Sequence, residues 1–377
     1  MWPALALPAS PSRSVCQCKR AKNPTVDDVA NRAGFPIATV SFTFRRPERV
    51  KESTREVVLA AARELGYLPS ASARGLADGR TGALALFSFT YLADEHADVV
   101  PHVDGAIDPN ADFRLLPLYV DEVQRGVELE CWRRGYAVMV GGGSKTTSEA
   151  VVADIAGRVD GLAVLPRSIP DDVLRRISSR IPVVQLSTPP HGSGGDHVTV
   201  DNEAGVRAVT EHLITAHGLH DLQFLGGLHA SDIEARFSGF RAALRAAGLR
   251  APTKPAANGG DDWEAEAAVR VRELLAKDDL PQAYVCATDP VALTVIDVLQ
   301  AAGVSVPGQL AVTGFDGIAA GRMARPALTT VRQPMEQLGR AAVDILIHRI
   351  ADPDGNPISR QFPVQLVLRE SCGCHAV

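Results

Sequence analysis

From Ala83 onward the chain alternates short aliphatic runs with amphipathic stretches, and this alternation restricts the fold more than any other feature. A run such as ALALF (83–87) or GLAVLP (161–166) shows no polar alternation, so it does not fit a strand with one wet face. It fits a strand covered on both sides, which means a parallel sheet between layers of helices. The pattern predicts a helix over 118–134, strands at YAVMV (136–140), GLAVLP and PVVQLS (182–187), and a helix over 202–217. DLQFLGG (221–227) follows as strand, 232–247 as helix, YVCAT (284–288) and LAVTGF (310–315) as strands, and 335–350 as helix. These units exceed one core, so two α/β lobes with a cleft between them are expected. Residues 92–114 break the alternation. They include His96, Asp98, His102 and Asp104, and read as a long solvated loop in preference to a metal site.

Composition excludes several classes. With 46% hydrophobic and 22% charged residues the chain is neither disordered nor a membrane protein, and aromatics at 5% suit an aliphatic parallel core. No apolar run approaches the ~20 residues that a membrane span needs. The opening MWPALALPAS is apolar, but no basic residue precedes it and prolines interrupt it, so it does not read as a secretion signal. Residues 1–22 read as a disordered extension or as the product of a start codon placed too early. The cysteines are Cys16, Cys18, Cys131, Cys286, Cys372 and Cys374, with a C-x-C pair near each end. No C-x-x-C recurs and no His stands at zinc-finger spacing, so free thiols are preferred over a metal site built from the terminal pairs.

The amino-terminal part has a different character. The whole chain carries a net charge of −5, yet residues 1–82 hold thirteen Lys and Arg against seven Asp and Glu. A basic end on an acidic body suits a nucleic-acid-binding module joined to another domain. The segment TVDDVANRAGFPIATVSFTF (25–44) predicts two short helices around a tight turn. Thr25 can cap the first, with Asp28 three residues on as its capping-box partner. Gly34 can take a positive φ in the turn Ala33-Gly34-Phe35. Pro36 is tolerated in the first turn of the second helix, which runs to about Phe44. A third helix begins near Ser53 and ends at Leu65, with Val57, Val58, Ala61, Ala62 and Leu65 at helical spacing and Gly66 as its stop.

Val29, Ala30, Ala33 and Val40 are small enough for the steep crossing of a helix-turn-helix. Ile37, Ala38, Thr39 and Phe42 then lie at the start or on the exposed face of the second helix. Arg45, Arg46, Arg49 and Lys51 follow, placed to meet phosphates. A plain three-helix bundle with a solvated basic face would carry the same pattern.

Taken together, residues 25–44 and the stretch RVKESTREVVLAAARELGYLPSASARGLA (49–77) resemble the headpiece and hinge of the LacI/GalR family of regulators. The resemblance implies an all-α helix-turn-helix headpiece over 23–68 and a hinge helix with linker over 69–82. It implies a two-lobed, periplasmic-binding-protein-like α/β effector and dimerisation domain over 83–377. It implies DNA contacts from Thr25, Ile37, Ala38, Thr39, Phe42, Arg45 and Arg46. In the family a P-x-x-x-A-R-x-L segment folds on operator DNA and its leucine wedges into the minor groove; the matching residues are Ala73 and Leu76. One departure stands out. The family commonly has T-V-S-R, whose arginine reads a guanine, whereas this chain has Thr39-Val40-Ser41-Phe42. Phe42 cannot make a forked contact to guanine but can touch a thymine methyl. With Ile37 and Ala38 also apolar, base reading is expected to lean on methyl contacts, DNA shape and phosphates.

EARFSGFRAAL (234–244), CATDPVALTVIDVL (286–299), VTGFDG (312–317) and LTTVRQP (328–334) resemble landmarks of the family's effector domain. The resemblance implies Arg236, Asp289 and Asp316 as polar ligand contacts. It also implies Trp263 as an aromatic packed on the ligand and Tyr119 as an aromatic of the opposite lobe. A guanidinium, carboxylates and an aromatic plate suit a polyhydroxylated ligand such as a sugar or sugar derivative. Each residue also has a plainer reading. Arg236 could be a solvated helix charge, Asp289 a cap for the helix that follows it, and Trp263 core. Asp201-Asn202 reads as a cap. Gly141-Gly142-Gly143-Ser144 lacks the Gly-Lys-Ser/Thr of a phosphate loop and reads as a flexible crossing near the cleft.

The sequence thus points to a cytoplasmic, non-enzymatic repressor with no cofactor or metal. It would act on operator DNA as a homodimer or tetramer, away from any membrane, under control of a small carbohydrate effector. A solute-binding protein would share the two lobes but should carry a secretion signal and no basic headpiece. An enzyme should show a nucleophile elbow, a metal motif or a dinucleotide fingerprint, and none is present.

Overall fold

The structure, a computed structural model, describes residues 24–68, 79–89, 118–143, 149–188, 195–228, 230–257 and 262–374. The expected hinge residues Ala73 and Leu76, the extension 1–22 and the insert 92–114 lie outside the described residues. The chain divides into two units between Arg80 and Thr81.

The first unit contains α1 (Val26–Ala33), α2 (Ile37–Arg45), a 3-10 turn at Pro47–Arg49 and α3 (Glu52–Leu65). The expected capping box is present: Asp28 N donates to Thr25 Oγ1 at 3.4 Å and Thr25 N donates to Asp28 Oδ2 at 2.7 Å. Gly34 turns the chain with φ 73°. Val29, Ala30, Val40, Val58, Ala61 and Ala62 form the core, and Phe44 and Tyr67 close it with ring centroids 5.7 Å apart. Small residues at the crossing let the helices approach closely. Two details differ from the sequence reading. Pro36 stands just before α2 instead of inside its first turn. Val57 is 48% exposed, because the 3.6-residue period that carries Val58, Ala61, Ala62 and Leu65 inward leaves it on the wet side.

The second unit is built on two sheets. Strands β1 (Ala83–Phe89), β2 (Ala137–Gly143), β3 (Gly161–Val164), β4 (Val183–Leu186), β5 (Asp196–Val200) and β10 (Ser359–Phe362) form the first. Their order is β10-β5-β4-β3-β1-β2 and every pairing is parallel. Strands β6 (Leu222–Leu225), β7 (Ala283–Cys286), β8 (Ala311–Asp316), β9 (Thr329–Arg332) and β11 (Gln365–Val367) form the second. It is parallel except where β11 runs antiparallel to β9. Gly141, Gly142 and Gly143 pair with Phe87, Ser88 and Phe89, so they extend β2 and are not a flexible crossing.

Both faces of each sheet are covered, as the aliphatic strands require. Leu84 and Leu86 of β1 face α4 (Leu118–Arg134) and α12 (Met335–Ala351), while the alternating Ala85 and Phe87 face α5 (Glu149–Ala156) and α6 (Asp171–Ser178). In the second sheet, Phe224 and Val285 meet α7 (Asn202–His217) and α8 (Ser231–Ala246). Tyr284 and Val312 meet α9 (Trp263–Leu275) and α10 (Asp289–Ala301) on the other side, and the short α11 (Ala319–Met323) follows β8. The chain passes from the first sheet to the second through β5 and α7, returns through β9 and α12, and passes again from β10 to β11. Those crossings tie the two lobes at one end. Within the first lobe a buried fork holds α12 to β5: Arg349 Nη2 donates to Asp196 Oδ1 at 2.8 Å and Arg349 Nε to Asp196 Oδ2 at 3.0 Å. Among the described residues no helix is long and apolar enough to cross a membrane.

Candidate functional site

In the first unit, the exposed side of α2 is apolar. Ile37 is 50% exposed, Phe42 41% exposed, and Ala38 is also on the surface, whereas Val40 and Thr43 point into the core. Single exposed hydrophobic groups are ordinary, and Val57 on α3 is as exposed, so what distinguishes α2 is that Ile37, Ala38 and Phe42 gather on one short helix. Thr39 is half-buried and its carbonyl accepts a bond from Thr43 Oγ1 at 2.9 Å. Arg45 is half-buried and Arg46 exposed at the end of the same helix. Thr25 commits its hydroxyl to Asp28 at 2.8 Å.

In the second unit, the sequence-predicted residues Arg236, Asp289 and Asp316 converge where the strands of the second sheet end, the usual position for ligands in parallel sheets. Arg236 is not the solvated helix charge of the plainer reading: it is 3% exposed. Its Nε donates to Asn202 Oδ1 at 2.8 Å and its Nη1 to the Ala287 carbonyl at 2.7 Å. Asp316 lies 3.6 Å from Nη1 and Asp232 lies 3.5 Å from Nη2. The guanidinium stacks 3.8 Å over the ring of Phe315. Asp316 also accepts from Gln333 Nε2 at 2.7 Å, and its φ of 120° is an unusual backbone conformation for a residue with a side chain.

Asp289 does not cap α10. Thr288 does, accepting from Val291 N at 3.4 Å. The Asp289 carboxylate instead turns under β8, where it accepts from Ile318 N at 2.8 Å and from Thr330 Oγ1 at 2.5 Å. It fits there because residue 314 is glycine: a Cβ at that position would lie 2.3 Å from Asp289 Oδ1. Burial, and then the charge of Asp316, push the Asp289 carboxyl well above the usual carboxylate range. Burial also raises Asp316, against the pull of Arg236 and the Gln333 amide.

Tyr119, on α4, donates to or accepts from Ser187 Oγ at 2.6 Å. Burial raises its phenol, and it lies close enough to Asp316, Asp232 and Arg236 for their charges to act on it. Trp263 joins from the start of α9, with the Arg167 guanidinium of the other lobe 5.0 Å over its ring. Among the described residues its buried Nε1 has no hydrogen-bond partner, and neither has the buried Gln333 Oε1. A second link between lobes lies nearby. Arg332 Nη2 and Nη1 fork onto the Glu122 carboxylate of α4 at 2.5 and 3.1 Å, while Nη1 also reaches the Gly317 carbonyl.

Known proteins share both parts of this arrangement. The family described as a periplasmic binding protein-like domain matches residues 210–372, and the family described as bacterial regulatory proteins, lacI family, matches residues 25–70. The HTH-type transcriptional repressor PurR of Photobacterium profundum is 30% identical over 354 residues, spanning 92% of this chain and 98% of that protein. The chain belongs to the lacI family of bacterial regulatory proteins.

Other lacI-family likenesses agree. The ribose operon repressor of Escherichia coli is 29% identical over 335 residues, covering 87% of this chain and 94% of that one. A solved complex of the transcriptional regulator CelR with cellobiose matches with a TM-score of 0.65 at 28% identity, over 92% of this chain and 99% of that chain. The lac repressor dimer bound to operator and the anti-inducer ONPF shares the fold, with a TM-score of 0.74 at 24% identity over 93% and 99% of the two chains. As a lacI-family member this chain is a transcription regulator, with an amino-terminal helix-turn-helix and a periplasmic-binding-like domain of two parallel-sheet lobes.

The structure also places residues that sequence reasoning missed. Asp201 caps α7, accepting from Ala204 N at 3.0 Å, as expected, but Asn202 beside it orients Arg236. Asp232, Gln333, Ser187 and Arg167 join the cleft cluster with no motif to announce them. Asp232 had one local signal, its i,i+4 spacing to Arg236 on α8.

Proposed function

We propose that the protein is a cytoplasmic repressor that binds operator DNA as a dimer and is released or retained by a polyhydroxylated small molecule held between its two lobes. The observation that carries the ligand class is the set of polar groups in the cleft. Arg236, Asp232 and Asp316 offer a buried mixture of donors and acceptors, and Gln333 Oε1 and Trp263 Nε1 are buried polar atoms with no partner among the described residues. Orphaned donors and acceptors in a native structure point to groups that a ligand or water satisfies. Carboxylates accept from sugar hydroxyls, the guanidinium donates, and an indole covers the apolar face of a ring. Two of the proteins similar to this chain are named for carbohydrate systems, the ribose operon repressor and the CelR–cellobiose complex.

On DNA, Ile37, Ala38, Thr39 and Phe42 read the major groove, chiefly through apolar contact with thymine methyls, while Arg45 and Arg46 hold phosphates. Thr25 acts through the cap it provides. Ala73 and Leu76 form the hinge that enters the minor groove. Boundaries of 23–68 for the headpiece, 69–82 for the hinge and 83–377 for the effector and dimerisation domain follow from this division. Ligand binding changes lobe closure, and the dimer's headpieces sense it through their hinges, so two states of different DNA affinity are coupled to one cleft. The experiment is a thermal-shift screen of the full chain against pentoses, hexoses, disaccharides and their phosphates, followed by operator titration with each hit. A sugar that raises the melting temperature and changes operator affinity supports the reading. A screen in which only non-carbohydrate ligands do so overturns the ligand class.

A further inference from the structure

We propose that His212, His217, Cys372 and Cys374 form a structural zinc site that clamps the carboxyl-terminal segment to the end of α7. The sequence reading preferred free thiols because no C-x-x-C recurs and it found no His at zinc-finger spacing; it overlooked His212 and His217, which stand as H-x4-H. Folding brings the two halves together. His217 Nε2 lies 3.2 Å from His212 Nε2, and Cys374 Sγ lies 3.4 Å from each of them. Cys372 Sγ is 3.9 Å from His212 Nε2, and all four candidate ligand atoms lie within 4.8 Å of one another.

Four of the six separations, from 3.2 to 3.9 Å, are close to the edges of a tetrahedral zinc site, and the other two lie within 4.8 Å. Zinc bonds of about 2.0–2.1 Å to nitrogen and about 2.3 Å to sulfur, at tetrahedral angles, place nitrogens about 3.3 Å apart and nitrogen from sulfur about 3.6 Å. Pairwise hydrogen bonding accounts for the cluster less well. An imidazole nitrogen carries either one proton or one lone pair. His212 Nε2 nevertheless has three candidate partners within 3.9 Å. A single cation satisfies all four groups at once. Two thiolates with two imidazoles are a donor set that selects zinc over calcium or magnesium.

The surroundings are built to hold these ligands. Ser371, fully buried, donates its hydroxyl to the Val312 carbonyl at 2.6 Å and accepts from Thr329 N at 2.8 Å, which fixes the chain beside Cys372. Thr329 Oγ1 lies 3.1 Å from Cys372 Sγ and 3.0 Å from the Arg369 carbonyl, so its one proton can turn to a thiolate. Gly373, at φ 99°, lets the chain double back between the two cysteines. His217 is the last residue of α7, and a helix C-terminus favours a cation. The site is remote from the effector cleft. Asn202, which orients Arg236, starts the same helix that His217 ends, so about 24 Å of helix separates the two. Binding would release the two thiol protons to the buffer, leaving both sulfurs as thiolates.

The test uses the full chain purified under reducing conditions and loaded with zinc or cobalt(II) chloride. Metal analysis should find about one equivalent per chain, and the cobalt form should show tetrahedral visible bands with sulfur-to-metal charge transfer. Cys374→Ser and His217→Gln should each abolish both signals, and a chelator should lower the melting temperature of the unmutated chain but not of the variants. Should a variant fail to fold, the cobalt spectrum of the unmutated chain still decides. An unmutated chain that takes up no metal, a cobalt spectrum without charge transfer, or variants that keep their equivalent would overturn the proposal. So would a Cys372–Cys374 disulfide in the reduced preparation.

Discussion

Arg167, in the loop after β3, lies with its guanidinium 5.0 Å over the indole of Trp263, the first residue of α9. The two residues belong to different lobes, so this contact, with the Arg332–Glu122 fork, holds the cleft in its present posture. A cation over an indole contributes about 0.5–2 kcal/mol, depending on how dry the contact is.

Removing either partner should therefore loosen closure without unfolding either lobe. Trp263→Ala should weaken binding of the effector by on the order of tenfold, the equivalent of about 1.4 kcal/mol. Arg167→Ala should weaken it less while leaving the melting temperature nearly unchanged. Calorimetric titration of each variant with the sugar found for the unmutated chain checks this, and equal affinities across all three would remove Trp263 from the ligand site.

Arg236 has a double role, and its replacement should show both. Arg236→Ala strips the counter-charge from Asp316 and Asp232 and leaves Asn202 Oδ1 without its donor. Removing one partner of a buried ion pair costs about 3–5 kcal/mol. The expected result is a clear fall in melting temperature together with loss of the effector response, whereas the separate helix-turn-helix keeps its salt-dependent attraction to DNA. Thermal melting and DNA titration on the same preparation measure the two effects.

The buried carboxylates set a pH dependence. Burial and the charge of Asp316 raise Asp289 to about 8, whereas the unfolded chain ionises it near 4. Between those values the folded state holds a proton that the unfolded state releases, so stability falls as pH rises through this window and is largest at its acid end. Asp289→Asn cannot ionise and should flatten this part of the profile. Melting curves from pH 5 to pH 9 check it; a variant with the same slope as the unmutated chain would place the titration elsewhere.

Much of the fold was legible because α/β units write themselves locally. The helices 118–134 and 202–217 were placed to the residue, and GFDG put Asp316 at a strand end. β5 escaped because Asp-His-Val-Thr-Val mixes polar and apolar residues. Its burial depends on β10, which returns from the far end of the chain, and on Arg349 pairing with Asp196. The cleft was half legible for the same reason. Resemblance pointed to Arg236, Asp289 and Asp316, but nothing local says that Asn202, 34 positions away, orients Arg236, or that Gln333 holds Asp316. His212 and Cys374, 162 positions apart, illustrate the limit most plainly.

Phe42 gives a prediction about specificity. It is 41% exposed and contributes little to the headpiece core, so Phe42→Arg should leave stability within about 0.5 kcal/mol. Arginine at that position can fork onto guanine N7 and O6, a contact worth about 1–3 kcal/mol of discrimination. Selection of binding sites from random duplexes should therefore yield a guanine in the variant's half-site where the unmutated protein selects another base. Identical selected sites would mean that residue 42 does not face the bases.

The central claim is that this lacI-family chain binds a specific DNA sequence under the control of its cleft. The most direct measurement is selection of genomic fragments by the purified full-length protein, followed by titration of the best fragment over a range of salt, with and without each sugar of the panel. The account predicts sequence-selective binding that weakens steeply with salt, because phosphate contacts release counterions, and at least one sugar that shifts the affinity. Equal affinity for all fragments, or no binding even at low salt with and without every sugar, would contradict it.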